Sequence, residues 1–162
     1  ANGPDLEAEG RGWKRAKPLR DETGIGGKKF AIYSLHLPGY AHNKKQPTKI
    51  EAYEGSKHKA LAEHIKAEDD ECEVIVGGDF NEWTEGIVMQ SLLKDAKLKN
   101  ATKEKSIDHI LYSTKSPIKL IKTGRDWGPK NQNPKNLKCE GCWSDHPWVY
   151  AELEIPASKS SK

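Results

Sequence analysis

The chain has 162 residues, 35% of them hydrophobic and 31% charged, which suits one domain able to bury most of the surface its unfolded chain exposes and requires no second domain. It is polar for a globular chain, yet its apolar residues fall in separated runs, which argues against wholesale disorder. The net charge of +3, from 27 basic against 24 acidic residues, is a weak pointer to a polyanionic partner and fits mixed surface charge better.

No run approaches the length of a membrane span, and Ala1-Asn2-Gly3-Pro4 does not resemble a signal peptide, so the mature chain reads as soluble. Without an initiator Met, the natural N-terminus has been trimmed or lies elsewhere. Localisation is otherwise open, secretion included. Cys139 and Cys142 have the CxxC spacing of redox and zinc sites, but Cys72 lies in another segment and a zinc site needs more ligands. A small disulfide loop is the reading for an exported chain, and two free thiols for a cytosolic one.

The first ten residues form a polar segment without periodicity. Residues 11–156 are assigned to the domain and 157–162 to a Ser/Lys tail. Trp13 to Arg20 reads as a short strand, Asp21 to Gly27 as turn formers, and Lys29 to Leu37 as a strand closed by Pro38-Gly39, with a hairpin as the simplest pairing. Between Pro47 and Asp70, Tyr53, Ala60, Leu61, His64 and Ile65 recur at helical spacing, with Gly55 the place for a break. The helix returns the chain to Val74-Ile75-Val76, so the unit is a β-α-β crossover with parallel strands.

That β-branched run stops at Gly77-Gly78 and is followed by Asp79-Phe80-Asn81. At the carboxyl end of a central strand these two side chains stand where ligands bind in open α/β sheets; the plainer alternative is a turn in which Asp79 caps the next helix. Thr84 to Leu93 reads as that helix, burying Ile87, Val88, Leu92 and Leu93, and a Lys/Asn-rich loop follows. Ser106 to Ser113 and Ile118 to Thr123 are the next strands. Gly124 to Cys142 reads as a long surface loop of the kind that borders sites, and Trp148 to Ile155 alternates like a last strand.

His36, Asp79 with Asn81, Asp108, and Asp145 with His146 all lie within or at the ends of apolar runs. Each has an ordinary reading by itself: a satisfied histidine between strands, a turn acceptor, an Asx turn before Pro147. Together they supply what metal-assisted hydrolysis of a phosphodiester requires, namely oxygen ligands for Mg²⁺, a base for water and donors for phosphoryl oxygens.

The ordered set Ser34-Leu35-His36-Leu37, Gly78-Asp79-Phe80-Asn81, Ile107-Asp108-His109-Ile110 and Ser144-Asp145-His146 resembles the endonuclease/exonuclease/phosphatase superfamily, the DNase I-like fold, from about Gly10 to Ile155. The resemblance implies an α/β (α+β) four-layer sandwich with the site at the top edge between two central sheets. It implies that His36 holds the scissile phosphate, that Asp79 and Asn81 orient the water and the phosphate or a metal, and that Asp145 is a metal ligand. His146 would be the catalytic imidazole and Asp108 its carboxylate partner. The implied cofactor is Mg²⁺, with Mn²⁺ or Ca²⁺ as substitutes.

Members of that superfamily carry an Asn and a metal-binding Glu well upstream of the His-bearing strand. Here 35 residues precede His36, and Glu7, Glu9 and Glu22 lie in polar or turn segments. The chain therefore resembles the C-terminal part of such a domain, and a companion polypeptide is expected to supply the N-terminal strands and the missing ligand. The favoured substrate is a nucleic acid, DNA or RNA, met by the Lys-rich loops at Lys97 to Lys105 and Lys130 to Lys138 with Trp127 and Trp143 nearby; solvated loop lysines are the plainer reading. Two alternatives stand beside a nuclease. One is a phosphodiesterase or phosphatase acting on phospholipid or inositol phosphate, although Ser-Ile-Asp-His-Ile lacks the Trp-Cys-Asp-Arg string of inositol polyphosphate 5-phosphatases. The other is a non-catalytic binding scaffold that keeps the fold.

Overall fold

The computed structural model describes residues 18–38, 50–103, 105–126 and 146–156. The polar N-terminal segment, Trp127, Cys139, Cys142, Trp143, Asp145, the Lys130 to Lys138 stretch and the tail lie outside the described residues.

A hairpin of β1 (Leu19–Ile25) and β2 (Lys28–His36) opens the described chain. Its two-residue turn, Gly26-Gly27, has φ of 58° and 77°, the left-handed conformation that a tight hairpin turn demands and glycine meets at no steric cost. Of the strand expected from Trp13 to Arg20, residues 13–17 lie outside the described residues; β1 runs on through Asp21 to Ile25, a stretch expected to be turn. It is an edge strand with six of its seven residues exposed, so its acidic residues and Gly24 face water and no burial requirement opposes them.

The helical region divides at Gly55, as its sequence suggests, into α1 (Glu51–Glu54) and α2 (Lys57–Glu68). Ser56 makes the break: its Oγ donates to Tyr53 O (2.7 Å) and accepts from Lys59 N (3.1 Å), capping α2. Strand β3 (Glu73–Asp79) then pairs in parallel with β2, completing the expected crossover. Helix α3 (Ile87–Asp95) starts three residues later than expected, because Thr84-Glu85-Gly86 forms the turn leading into it. It buries Val88, Met89 and Leu92. The Lys/Asn-rich loop contains a three-residue strand, β4 (Leu98–Asn100), too short for alternation to reveal. Strands β5 (Asp108–Ser113), β6 (Lys119–Asp126) and β7 (Trp148–Glu154) follow.

Strand order in the five-stranded sheet is β1-β2-β3-β5-β4, and β6 pairs with β7 in a second sheet. One face of the larger sheet (Ala31, Tyr33, Leu35, Val74, Val76, Leu111) packs on Leu61, Ile65, Val88, Met89 and Leu92 of the helices. The other face, through Phe30, Ile75, Ile110 and Tyr112, meets Leu120, Ala151, Leu153 and Ile155 of the smaller sheet. Helices, sheet and sheet account for three of the four layers expected of the sandwich. Between the sheets an apolar cleft of about 500 Å³ remains, lined by Ile32, Ile75 and Ile110 on one side and Ala151 and Leu153 on the other.

One polar network ties β1 and β2 to the end of α2. The Asp69 carboxylate, fully buried, accepts from the Arg20 guanidinium at 2.5 Å and from the Tyr33 hydroxyl. Burial and the neighbouring carboxylate hold the Tyr33 phenol well above its ordinary range. Removing the acceptor leaves the buried Tyr33 hydroxyl without its partner and the Arg20 guanidinium with Glu22 alone, a loss of roughly 3 kcal/mol. Asp69→Ala is expected to lower the free energy of unfolding in urea by about that amount, and Asp69→Asn, which keeps one acceptor, by less.

Candidate functional site

Strand register assembles the site. Parallel pairing sets His36 opposite Asp79, and antiparallel pairing sets Asp79 opposite Asp108, so the three lie abreast across β2, β3 and β5. The row depends on Gly78, where φ is +146° and an added Cβ would lie 1.9 Å from Leu35 O. Only glycine permits this approach of backbones next to the site. Just past the row, Leu37 N donates to Asp79 O at 2.8 Å and Phe80 N to Ile107 O at 2.9 Å.

His146, at the entry to β7, arrives from the second sheet. Its Nδ1 is 3.0 and 3.1 Å from the two carboxylate oxygens of Asp108 and 3.9 Å from Asp79 Oδ2. His36 Nε2 is 3.5 Å from the same Asp79 oxygen, with its side chain 74% exposed, whereas Asp79 and Asp108 are largely covered. Burial pushes the Asp108 carboxyl above its ordinary value; His146 pulls it back and the Asp79 charge adds to the rise. Ligand atoms of Asp79, Asp108 and His146 all lie within 4.8 Å of one another. Two carboxylates and an imidazole converging in this way make a donor set that fits a hard divalent cation.

Of the residues expected at the site, His36, Asp79, Asp108 and His146 converge. Asn81 points inward: it is buried, has φ of +52°, and donates Nδ2 to Leu37 O at 2.9 Å. Its backbone N–H donates to Asp79 Oδ1 at 2.7 Å. Asp145 lies outside the described residues.

Two histidines not expected at the site lie against the loop that follows Asp79. His58 Nε2 is 2.9 Å from Phe80 O and His109 Nε2 2.8 Å from Glu82 O, both rings fully buried. The signal was present in each case. His58 stands in the apolar stripe of α2 with Leu61, Ala62 and Ile65, and His109 shares the buried face of β5 with Leu111 and Ser113. Trp83, half-buried two residues beyond Asn81, has Lys105 Nζ 5.1 Å from its ring centroid, a cation–π pair.

Burial lowers the His58 pKa to about 4; the Phe80 carbonyl opposes that shift and the neighbouring His109 adds to it. The folded chain therefore binds this proton less readily than the unfolded chain. The stability linked to it is complete above the ordinary imidazole pKa of about 6.5 and is lost as pH falls from there towards 4, by up to ~3 kcal/mol. Unfolding free energies measured between pH 7 and pH 4 are expected to fall more steeply for the unaltered protein than for His58→Gln, which has no proton to take up.

No protein-family model and no curated protein matches the sequence. Solved structures match its fold. An endonuclease/exonuclease/phosphatase family protein from Leptotrichia buccalis aligns at a TM-score of 0.59 and 13% identity, over 86% of this chain and 54% of that one. D. rerio TDP2 complexed with a single-strand DNA product gives 0.58 and 14%, over 89% and 64%. The human Nocturnin catalytic domain with bound sulfate gives 0.51 and 20%, over 74% and 48%. The chain thus has the DNase I-like fold of the endonuclease/exonuclease/phosphatase superfamily and spans about half to two thirds of the length of these structures.

Proposed function

We propose that the chain is part of a divalent-metal-dependent phosphodiester hydrolase, a nuclease acting on DNA or RNA. The observation that carries this reading is the contact of His146 with Asp108 beside Asp79, at the ends of strands from two sheets. With Nδ1 directed at the Asp108 carboxylate, the ring keeps its proton there and leaves Nε2 to take one from water, while the carboxylate favours the imidazolium that results. His36, exposed beside Asp79, is assigned to the scissile phosphate. Asp79 is assigned to the attacking water or the metal. Asn81, buried, holds the Asp79 loop against Leu37 O.

Asp79 and Asp145, with Asn81, are the residues named for Mg²⁺, Mn²⁺ or Ca²⁺; Asp108 and His146 complete the alternative donor set. The ion would neutralise charge on the phosphoryl oxygens and make bound water more acidic. Nucleic acid is favoured because a base stacks readily on an aromatic ring next to a cation, as Trp83 and Lys105 offer here. A neighbour of the same fold, D. rerio TDP2, is complexed with single-strand DNA. The reading includes a companion polypeptide that covers the apolar cleft between the sheets. That cleft supports it. A purified monomer that binds Mg²⁺ tightly and cleaves phosphodiesters unaided would remove the companion from the reading.

Hydrolysis of plasmid DNA, RNA and a chromogenic phosphodiester with and without Mg²⁺ tests the function. Asp79→Asn is expected to abolish cleavage and weaken Mn²⁺ binding in calorimetry while leaving Tm nearly unchanged; a variant that unfolds readily would return Asp79 to a turn-and-cap role. His146→Ala should lose on the order of 10²- to 10⁴-fold in rate and keep its Mn²⁺ affinity. Loss of that affinity would make His146 a ligand and not the base.

A further inference from the structure

We infer that His58 and His109 are a pair of positioning residues, both held as the Nε2–H tautomer, that clamp the backbone on either side of Asn81 and so fix the loop carrying Asp79 and Asn81. The importance of that loop rests on the function proposed above; the clamp itself does not.

The tautomers follow from the partners. Phe80 O and Glu82 O only accept, so each Nε2 that meets them carries the hydrogen. For His109 a second line of contacts agrees. Thr102 N donates to Asn100 Oδ1 at 2.9 Å, which directs the Asn100 amide nitrogen at His109 Nδ1, 3.0 Å away. That nitrogen donates, so Nδ1 accepts and the proton is on Nε2. His58 Nδ1 is buried with no hydrogen-bond partner among the described residues, as befits a neutral ring with its one hydrogen on the opposite nitrogen.

The loop needs holding. Asn81 is a non-glycine residue in the left-handed region, a conformation that asparagine tolerates better than most residues and that surrounding contacts help to hold. Those contacts come from four directions. Phe80 N reaches Ile107 O in the segment before β5, and Asn81 Nδ2 reaches Leu37 O after β2. His58 reaches in from α2, and His109 from β5. The Phe80 ring lies between the two imidazoles, its centroid 6.3 Å from His58 and 5.6 Å from His109. A leucine at either position would fill similar space without the cost of burying an imidazole. What the imidazole adds is an N–H for a carbonyl that would otherwise be buried without one.

Long-range ¹⁵N–¹H correlation spectra of the unaltered protein at pH 7 are expected to show both rings as the Nε2–H tautomer, and an Nδ1–H pattern at either ring overturns the clamp. His58→Leu is expected to speed exchange of the Phe80 and Asn81 amides about tenfold relative to the β1–β2 hairpin. His58→Gln, whose amide can replace the lost N–H, should return them close to the original rate. Unchanged exchange in the Leu variant, or equal loosening of the whole sheet, would overturn the proposal; should that variant fail to fold, the tautomers of the unaltered protein decide. Cleavage assays on the same variants report separately on the function: a clamp seen by exchange in a protein that hydrolyses nothing would sink the nuclease and leave the clamp standing.

Discussion

Parallel pairing of β2 with β3, made possible at its last step by the missing side chain of Gly78, sets the distances on which the rest of the site depends. Because Leu35 O lies where any Cβ at position 78 would be, the two strands stay in register up to His36 and Asp79 and end together. Antiparallel β5 then places Asp108 on the other side of Asp79. A slip of one residue in either pairing would turn one of these side chains to the opposite face of the sheet. The helices and the loop after Asp79 build on this row.

Burial makes Asp108 hard to keep charged, and the Asp79 carboxylate beside it at the strand ends adds to the difficulty. Positive charge resolves this conflict. His146 supplies it from one side when protonated, His36 lies near Asp79 on the other, and a divalent cation would supply more. The cluster is thus an arrangement that a proton or a cation would make more favourable.

Much of this was legible in the sequence because hydrophobic pattern and site chemistry coincide there. Strands β2, β3, β5 and β7 alternate or run apolar, and the polar residues at or beside their ends, His36, Asp79, Asp108 and His146, meet in the structure. Other elements obeyed different constraints. Strand β1 carries turn-forming residues because an edge strand exposed to water puts few demands on them, and β4 is too short for any period. His58 and His109 escaped notice for the opposite reason. Each occupies a position in a buried stripe where a hydrocarbon is the ordinary occupant, and a single sequence does not distinguish a histidine that fills space from one that donates to a particular carbonyl. That distinction depends on the path of the 80–82 backbone, which no pattern encodes.

The site joins two layers that touch over a limited area. Asp79 and Asp108 belong to the larger sheet, held from behind by the helices; His146 belongs to the smaller one, held through Ile110, Leu120, Ala151, Leu153 and Ile155. The His146–Asp108 distance therefore reports how the two sheets pack, and at the apolar cleft beside that packing the described residues leave part of the larger sheet's face uncovered. Ile32, more than a third exposed on this face, gains nothing from burial until the cleft is filled. Filling it would add apolar contact across the same interface that sets the imidazole against its carboxylate. Sheet packing and the His146–Asp108 contact are thus coupled: filling the cleft would stiffen that contact without touching a polar residue of the site.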